Sequence, residues 1–273
     1  MSVTLAPPTA RDLQRWFPQR FGEIAANKSV VQTFTDFIER GPANLLVTGP
    51  SRSGKTRTIK LGIRALCCPN RTITLDPCGQ CATCHDVGEV RDGHHGIYAV
   101  MMGSERSYIT INCETVSKDE LLALGRDTVL WDPRTLVYFD EFRALAERNF
   151  AGLILTLIDE SNATFFASAI TTKSTIWTGR KSRIEGVPEP LLARFMLKGT
   201  TLPNPAELAN WMHDRSRDWE IEIVEPDVTI PTILRRTQHR VGYVLHFFAA
   251  AATTKARLLT PNMATSVNLT AAD

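Results

Sequence analysis

The chain has 273 residues, 43% of them hydrophobic and 22% charged, which is the make-up of a soluble globular protein with one large domain or two modest ones. A net charge of +2 gives no bulk attraction to nucleic acid, so any such contact has to come from a local basic face. The longest nearly apolar run, VGYVLHFFAAAA, falls well short of the roughly 20 residues that span a bilayer, and MSVTLAPPTA carries no secretory pattern; a cytoplasmic protein without membrane contact is expected.

In chain order, ANLLVTG (43–49) is a short apolar run closed by glycine and reads as a buried parallel strand. Ile59, Ile63 and Leu66 then recur at helical spacing. GIYAVMMG (96–103) is a second strand. Ser117 and Glu120 form a capping-box pattern before Leu121 and Leu122, so a helix starts there. TLVYFDE (135–141) is a third buried strand, and Phe150, Leu153, Ile154, Leu157 and Ile158 line the next helical face. ATFFASAI (163–170) is a fourth strand. Strands alternating with helices imply an α/β fold, a parallel sheet covered on both faces. Past about residue 200 the pattern turns helical, opened by Asn204, Pro205 and Glu207 as cap, first turn and third position. The expected organisation is a nucleotide-binding core over 1–200, a small helical lid over 201–258 and a loose tail over 259–273.

Gly49-Pro50-Ser51-Arg52-Ser53-Gly54-Lys55-Thr56 matches G-x-x-x-x-G-K-[ST], after a buried strand and before a helix. Backbone N–H groups of such a loop surround phosphate oxygens; Lys55 would reach the outer phosphates of ATP and Thr56 would hold Mg²⁺. Asp140 and Glu141 end a strand of four apolar residues, where a second magnesium-site element belongs, with Asp140 toward the ion and Glu141 placed to polarise the attacking water.

Five of the six cysteines fall within residues 67–84. Cys78, Cys81 and Cys84 offer three thiolates on one tight turn, eased by Gly79. Zinc takes four ligands, and thiolates match its softness and tetrahedral shape. Cys68, with Cys67 as the alternative, would be the fourth; His85, His94 or His95, or an iron–sulfur cluster, are the other readings. With four protein ligands the zinc would be structural. Cys113 reads as a buried core thiol.

With these motifs the chain resembles AAA+ ATPases of the clamp-loader group, most closely the γ/τ subunits of the bacterial DNA polymerase III clamp loader, from about residue 13 to about 250. Those subunits carry a similar zinc module at the same place, one residue shorter in its first spacing, which leaves Cys67 against Cys68 open. The resemblance implies a P-loop AAA+ core with a helical lid. RWFPQRFGEIAANKSVV resembles the segment that wraps the adenine, which makes Phe17, Pro18 and Ile24 base contacts. Thr171 takes the sensor-1 place. LLARF keeps Arg194 where the family carries an arginine that reaches a neighbouring subunit's nucleotide, although the flanking serine and cysteine are lost. The usual lid arginine, sensor 2, aligns with Gly242, and Arg240 is the nearby substitute. A longer loop carries Arg180, Lys181 and Arg183, read either as a DNA- or partner-contacting loop or as a solvated one. The helical collar of clamp loaders has no room in this chain, so the resemblance speaks for the ATPase module more than for loading clamps.

The function so implied is a magnesium-dependent ATPase, partnered by other AAA+ subunits, that assembles on DNA or remodels a DNA-bound protein in replication, recombination or mobile-element and defence transactions. The alternative is a nucleotide-dependent binding switch or scaffold with little turnover. A P-loop kinase explains neither the cysteines nor LLARF.

Overall fold

Strand β1 (Leu45–Gly49) is buried at every position because it has a parallel neighbour on each side. Leu45 stands opposite Phe166 of β5 (Thr164–Ile170) and Met196 of β6 (Met196–Gly199). The computed structural model describes residues 18–84, 97–102 (side chains of 98–102 excepted), 106–171, 184 and 187–269. Phe17, His85, His94, His95, Arg180, Lys181 and Arg183 lie outside the described residues.

Six strands form the main sheet in the order β2-β3-β4-β5-β1-β6, with β2 (Ile97–Met102), β3 (Arg106–Asn112) and β4 (Leu136–Asp140) completing it. The five from β3 to β6 run parallel, whereas β2 pairs antiparallel with β3 at the edge. The strand expected at 96–103 is therefore an edge strand, β2, antiparallel to its neighbour. The parallel strand at this place is β3, which the sequence pattern had not marked, and β6 was likewise unmarked.

Alternation along the strands feeds two cores. Leu45, Val47, Leu136, Tyr138 and Phe166 face α1 (Lys28–Arg40) and α2 (Lys55–Cys67), which contribute Val30, Phe34, Ile59 and Ile63. Leu46, Val137, Phe139, Phe165 and Ala167 face the other way, onto α3 (Lys118–Gly125), α4 (Arg143–Glu147), α5 (Ala151–Glu160) and α6 (Glu189–Leu192). The fold is thus a parallel α/β sheet with helices on both faces. The capping box at α3 is present, Ser117 Oγ accepting from Glu120 N at 3.2 Å.

A third core gathers α7 (Pro205–Asp218), α8 (Pro226–Thr237) and α9 (Val241–Ala252) around Leu208, Met212, Ile233, Phe247 and Phe248. Residues 259–269 belong to it, which corrects the loose tail expected over the described part of that stretch. β8 (Leu258–Leu259) pairs with β7 (Glu222–Ile223), and α10 (Pro261–Ser266) buries Met263 and Ala264. Arg236 Nη1 and Nη2 donate to Ala264 O and Val267 O, each at 2.7 Å. The short helix has a Thr260 cap and Pro261 at its first position, signals that six residues are too few to support by periodicity.

Candidate functional site

The carboxyl ends of the parallel strands, where ligands of open α/β sheets bind, converge on one cleft of about 1230 Å³. Three walls make it. The glycine-rich loop between β1 and α2 forms the floor, segment 18–27 one side, and lid helices α7 and α9 the other, with Trp211, Trp219, Arg240 and Tyr243 among the lining residues.

The loop turns into α2 through Gly54 at φ +87°, a conformation that suits glycine and lets the first turn of the helix present its N–H groups. Asn27 braces it: Nδ2 donates to Ser53 O at 3.1 Å and Thr58 Oγ1 at 3.2 Å. Ser53 Oγ also meets Thr200 Oγ1 at 3.1 Å. Lys55 folds over the loop, its Nζ donating to Gly49 O at 3.0 Å and Pro50 O at 2.8 Å. Burial lowers its pKa from the usual lysine value to about 8; Glu141 and Asp140 oppose that, and the Arg240 cation adds to it.

Asp140 ends β4, and its Oδ1 receives three hydroxyl contacts. Thr56 Oγ1 donates at 3.3 Å, Tyr138 OH at 2.7 Å and Ser168 Oγ at 2.9 Å. Tyr138 is two residues before Asp140 and so on the same face; Ser168 sits on the adjacent strand β5. Glu141 follows at φ 54°, a left-handed conformation that costs a non-glycine residue roughly 1–3 kcal/mol. It lines the cleft, and burial followed by the Asp140 charge raises its pKa above the ordinary glutamate value. Thr171 N donates to Gly49 O at 3.0 Å, which sets that residue beside the loop.

Pro18 and Ile24 line the cleft, as do Ser51, Ser53, Gly54, Lys55, Thr56 and Arg240. Arg194 is not among the lining residues; its guanidinium makes a two-pronged ion pair with Asp159, Nε to Oδ1 at 2.9 Å and Nη2 to Oδ2 at 2.7 Å. Gly242 N donates to Arg52 O at 3.0 Å, and a Cβ at Gly242 would lie 3.1 Å from that carbonyl oxygen and 3.3 Å from Arg52 Cα. The glycine eases the close approach of α9 to the loop. Three buried polar atoms of cleft-lining residues have no partner among the described residues, Asn27 Oδ1, Arg215 Nε and Arg240 Nε, which suits a site shaped for a polar ligand.

At the far end of α2 the structure brings together Cys68, Cys78, Cys81 and Cys84, all four Sγ within 4.8 Å of one another. Cys68 and Cys81 stand 3.9 Å apart and Cys78 and Cys84 3.8 Å. Four thiolates placed tetrahedrally at zinc–sulfur distance would be about 3.8 Å apart, so the cluster is compatible with zinc. Backbone N–H groups of Gln80 and Cys81 pull the Cys78 pKa down to about 6. Cys67 faces the core beneath the sheet and stays outside the cluster; burial pushes its thiol up to about 12.

Sequence reasoning missed Asn27, Tyr138, Ser168, Arg64 and Asp76. Tyr138 and Ser168 had a readable signal, polar groups at inward positions near the carboxyl ends of otherwise apolar strands. The others pair with residues distant in the chain.

No protein-family model matches the chain. It is 34% identical over 83 residues to Protein STICHEL-like 1 of Arabidopsis thaliana, a match that takes in 29% of this chain and 7% of the plant protein. Among solved structures it is similar to a RuvB variant of Thermotoga maritima, with a TM-score of 0.52 and 14% identity over 92% of this chain and 69% of that one. At this identity the likeness establishes the fold alone: a RuvB-like α/β core, a parallel sheet with helices on both faces.

Proposed function

We propose that the chain is a magnesium-dependent AAA+ ATP hydrolase, clamp-loader-like, whose ATP-driven assembly acts on DNA or on a DNA-bound protein. The observation that carries this is the meeting of Lys55, Thr56, Asp140 and Glu141 at the end of one cleft, with Thr56 Oγ1 3.3 Å from Asp140 Oδ1. Those two hard oxygen donors suit Mg²⁺, which when bound would neutralise charge on the phosphates.

Each side chain has a task it is equipped for. Lys55, already held over the loop, exchanges its contacts to Gly49 O and Pro50 O for phosphate oxygens. Tyr138 and Ser168 fix the Asp140 carboxylate through Oδ1, and Asp140 with Thr56 would hold Mg²⁺. Glu141, whose pKa burial raises above the ordinary glutamate value, orients and polarises the attacking water. Thr171 senses the outer phosphate from the end of β5, and Arg240 supplies a cation from the lid. Arg194 acts on a neighbouring subunit's nucleotide after leaving Asp159, which ties hydrolysis to assembly. Cys68, Cys78, Cys81 and Cys84 hold a structural zinc with no open position.

Phosphate release with Mg²⁺, with and without DNA, tests the reading on wild type and Glu141→Gln. The variant should bind nucleotide normally and lose about 100-fold or more in turnover. Equal turnover in both proteins would remove Glu141 from the chemistry. Nucleotide-driven assembly without turnover in the wild type would make the chain a switch instead.

A further inference from the structure

Segment 18–24 lines the cleft with Pro18, Gln19, Glu23 and Ile24, yet its only regular element is one turn, Phe21–Glu23. Two buried side chains outside it hold its backbone in place. Asp76, itself 7% exposed, accepts from Phe21 N through Oδ1 at 2.7 Å, while Thr74 Oγ1 donates to its other oxygen at 2.9 Å. Arg64 donates from Nη2 to Gln19 Oε1 at 2.7 Å and to Gln19 O at 3.3 Å.

Both anchors adjoin the cysteine cluster. Asp76 is two residues before Cys78, in a small loop closed by Thr72 N donating to Asp76 O at 2.9 Å and Asp76 N donating to Thr72 Oγ1 at 3.1 Å. The start of that loop is pinned by Arg71, whose Nη1 donates to Cys68 O at 2.8 Å, and its end by Cys78 N, 3.3 Å from Cys68 Sγ. Arg64 is one helical turn before Cys68, whose N–H donates to Arg64 O at 3.0 Å. A metal that joins Cys68 to Cys78 thus fixes the base of the loop carrying Asp76. Four thiolates around a dication are also net anionic, which favours the buried Arg64 guanidinium nearby.

We propose that Asp76 is a positioning residue for nucleotide binding, and that the cysteine-held metal acts on the cleft through it by fixing the backbone of residues 19–21. This rests on the nucleotide reading above. The cluster is then a support for one wall of the site as well as a cap on α2.

Titration of the full chain with a fluorescent ATP analogue, alongside metal analysis, tests the link. Asp76→Ala should weaken binding about 10-fold at unchanged metal content, the scale of a lost buried bond to a charged acceptor. Asp76→Asn keeps an oxygen for Phe21 N–H and should restore most of the affinity. Chelator-stripped wild type should fall to the Asp76→Ala level, and stripping Asp76→Ala should add little, because both act through one path. Wild-type affinity in Asp76→Ala, full additivity, or unaltered binding by stripped wild type overturns the proposal; the stripped arm needs no substitution and so survives a variant that does not fold. Lys55→Ala separates the two readings, since a wild type that binds no better than this variant brings down the nucleotide assignment itself.

Discussion

Raising the pH should release bound nucleotide through Lys55 before it disturbs anything else in the cleft. In the free protein burial holds the Lys55 pKa at about 8, and the loop carbonyls of Gly49 and Pro50 are its hydrogen-bond partners. Phosphate oxygens favour the ammonium, so binding raises that pKa and takes up a proton once the pH passes about 8. The sign follows: affinity is flat below the free-state pKa and falls above it, approaching tenfold per pH unit. If the bound lysine stays fully charged, affinity at about pH 9.5 is lower than at about pH 7.5 by roughly 25-fold. The assay is titration with a fluorescent ATP analogue at fixed Mg²⁺ across that interval, where the nucleotide's own phosphates no longer titrate. Lys55→Ala should bind weakly at every pH and show no such slope. A flat wild-type profile, or a slope that persists in Lys55→Ala, refutes the reasoning.

Gly62→Ala should destabilise the fold by about 1–3 kcal/mol in urea denaturation, although helix propensity alone favours alanine by about 1 kcal/mol. The new Cβ would lie 2.3 Å from the ring of Phe34, which is fully buried and stacked on Phe166 at 5.5 Å, and a gain in stability would contradict that packing. Arg194→Ala should keep nucleotide binding and lose assembly-dependent turnover by about 1000-fold, whereas Asp159→Ala, which only frees the arginine, should keep it. Normal turnover in Arg194→Ala would sink the trans assignment; the ion pair to Asp159 is exposed, so its loss should leave the fold intact and the turnover readable. Metal analysis should find about one zinc per chain, lost together with thermal stability in Cys81→Ser; zinc-free protein purified without chelator would refute the cluster's role.

What could be read from the chain without its fold was whatever is contiguous. β1, β4 and β5 announce themselves because a strand buried on both faces is a continuous apolar run, and the loop and the Asp140-Glu141 pair sit at their ends. β3 begins Arg106-Ser107 and interleaves Thr110, while β6 is only partly covered, so neither shows that signature. Asn27, Arg64 and Asp76 escaped for a different reason. Their partners are 26, 45 and 55 residues away, and no local pattern encodes such pairs.

Gly242 shows how a departure from a familiar pattern acquires a physical cause once packing is known. Read along the chain, it looks like a lost lid arginine. In the fold, the first turn of α9 lies backbone to backbone on the glycine-rich loop, with Gly242 N–H on Arg52 O and only tight room for a Cβ, 3.1 Å from that oxygen. A side chain there would meet Arg52 at 3.0–3.3 Å, so a long cation at this position would need the two backbones to give by a few tenths of an ångström. Arg240 precedes the helix as its N-cap, where the backbone is extended and no such contact restricts it. From there it lines the cleft with its Nε buried and unpaired, close enough to Lys55 to lower that lysine's pKa. Close packing on the loop at Gly242 and a cation in the cleft at Arg240 thus stand two residues apart, and in the proposed function that cation is the one Arg240 supplies.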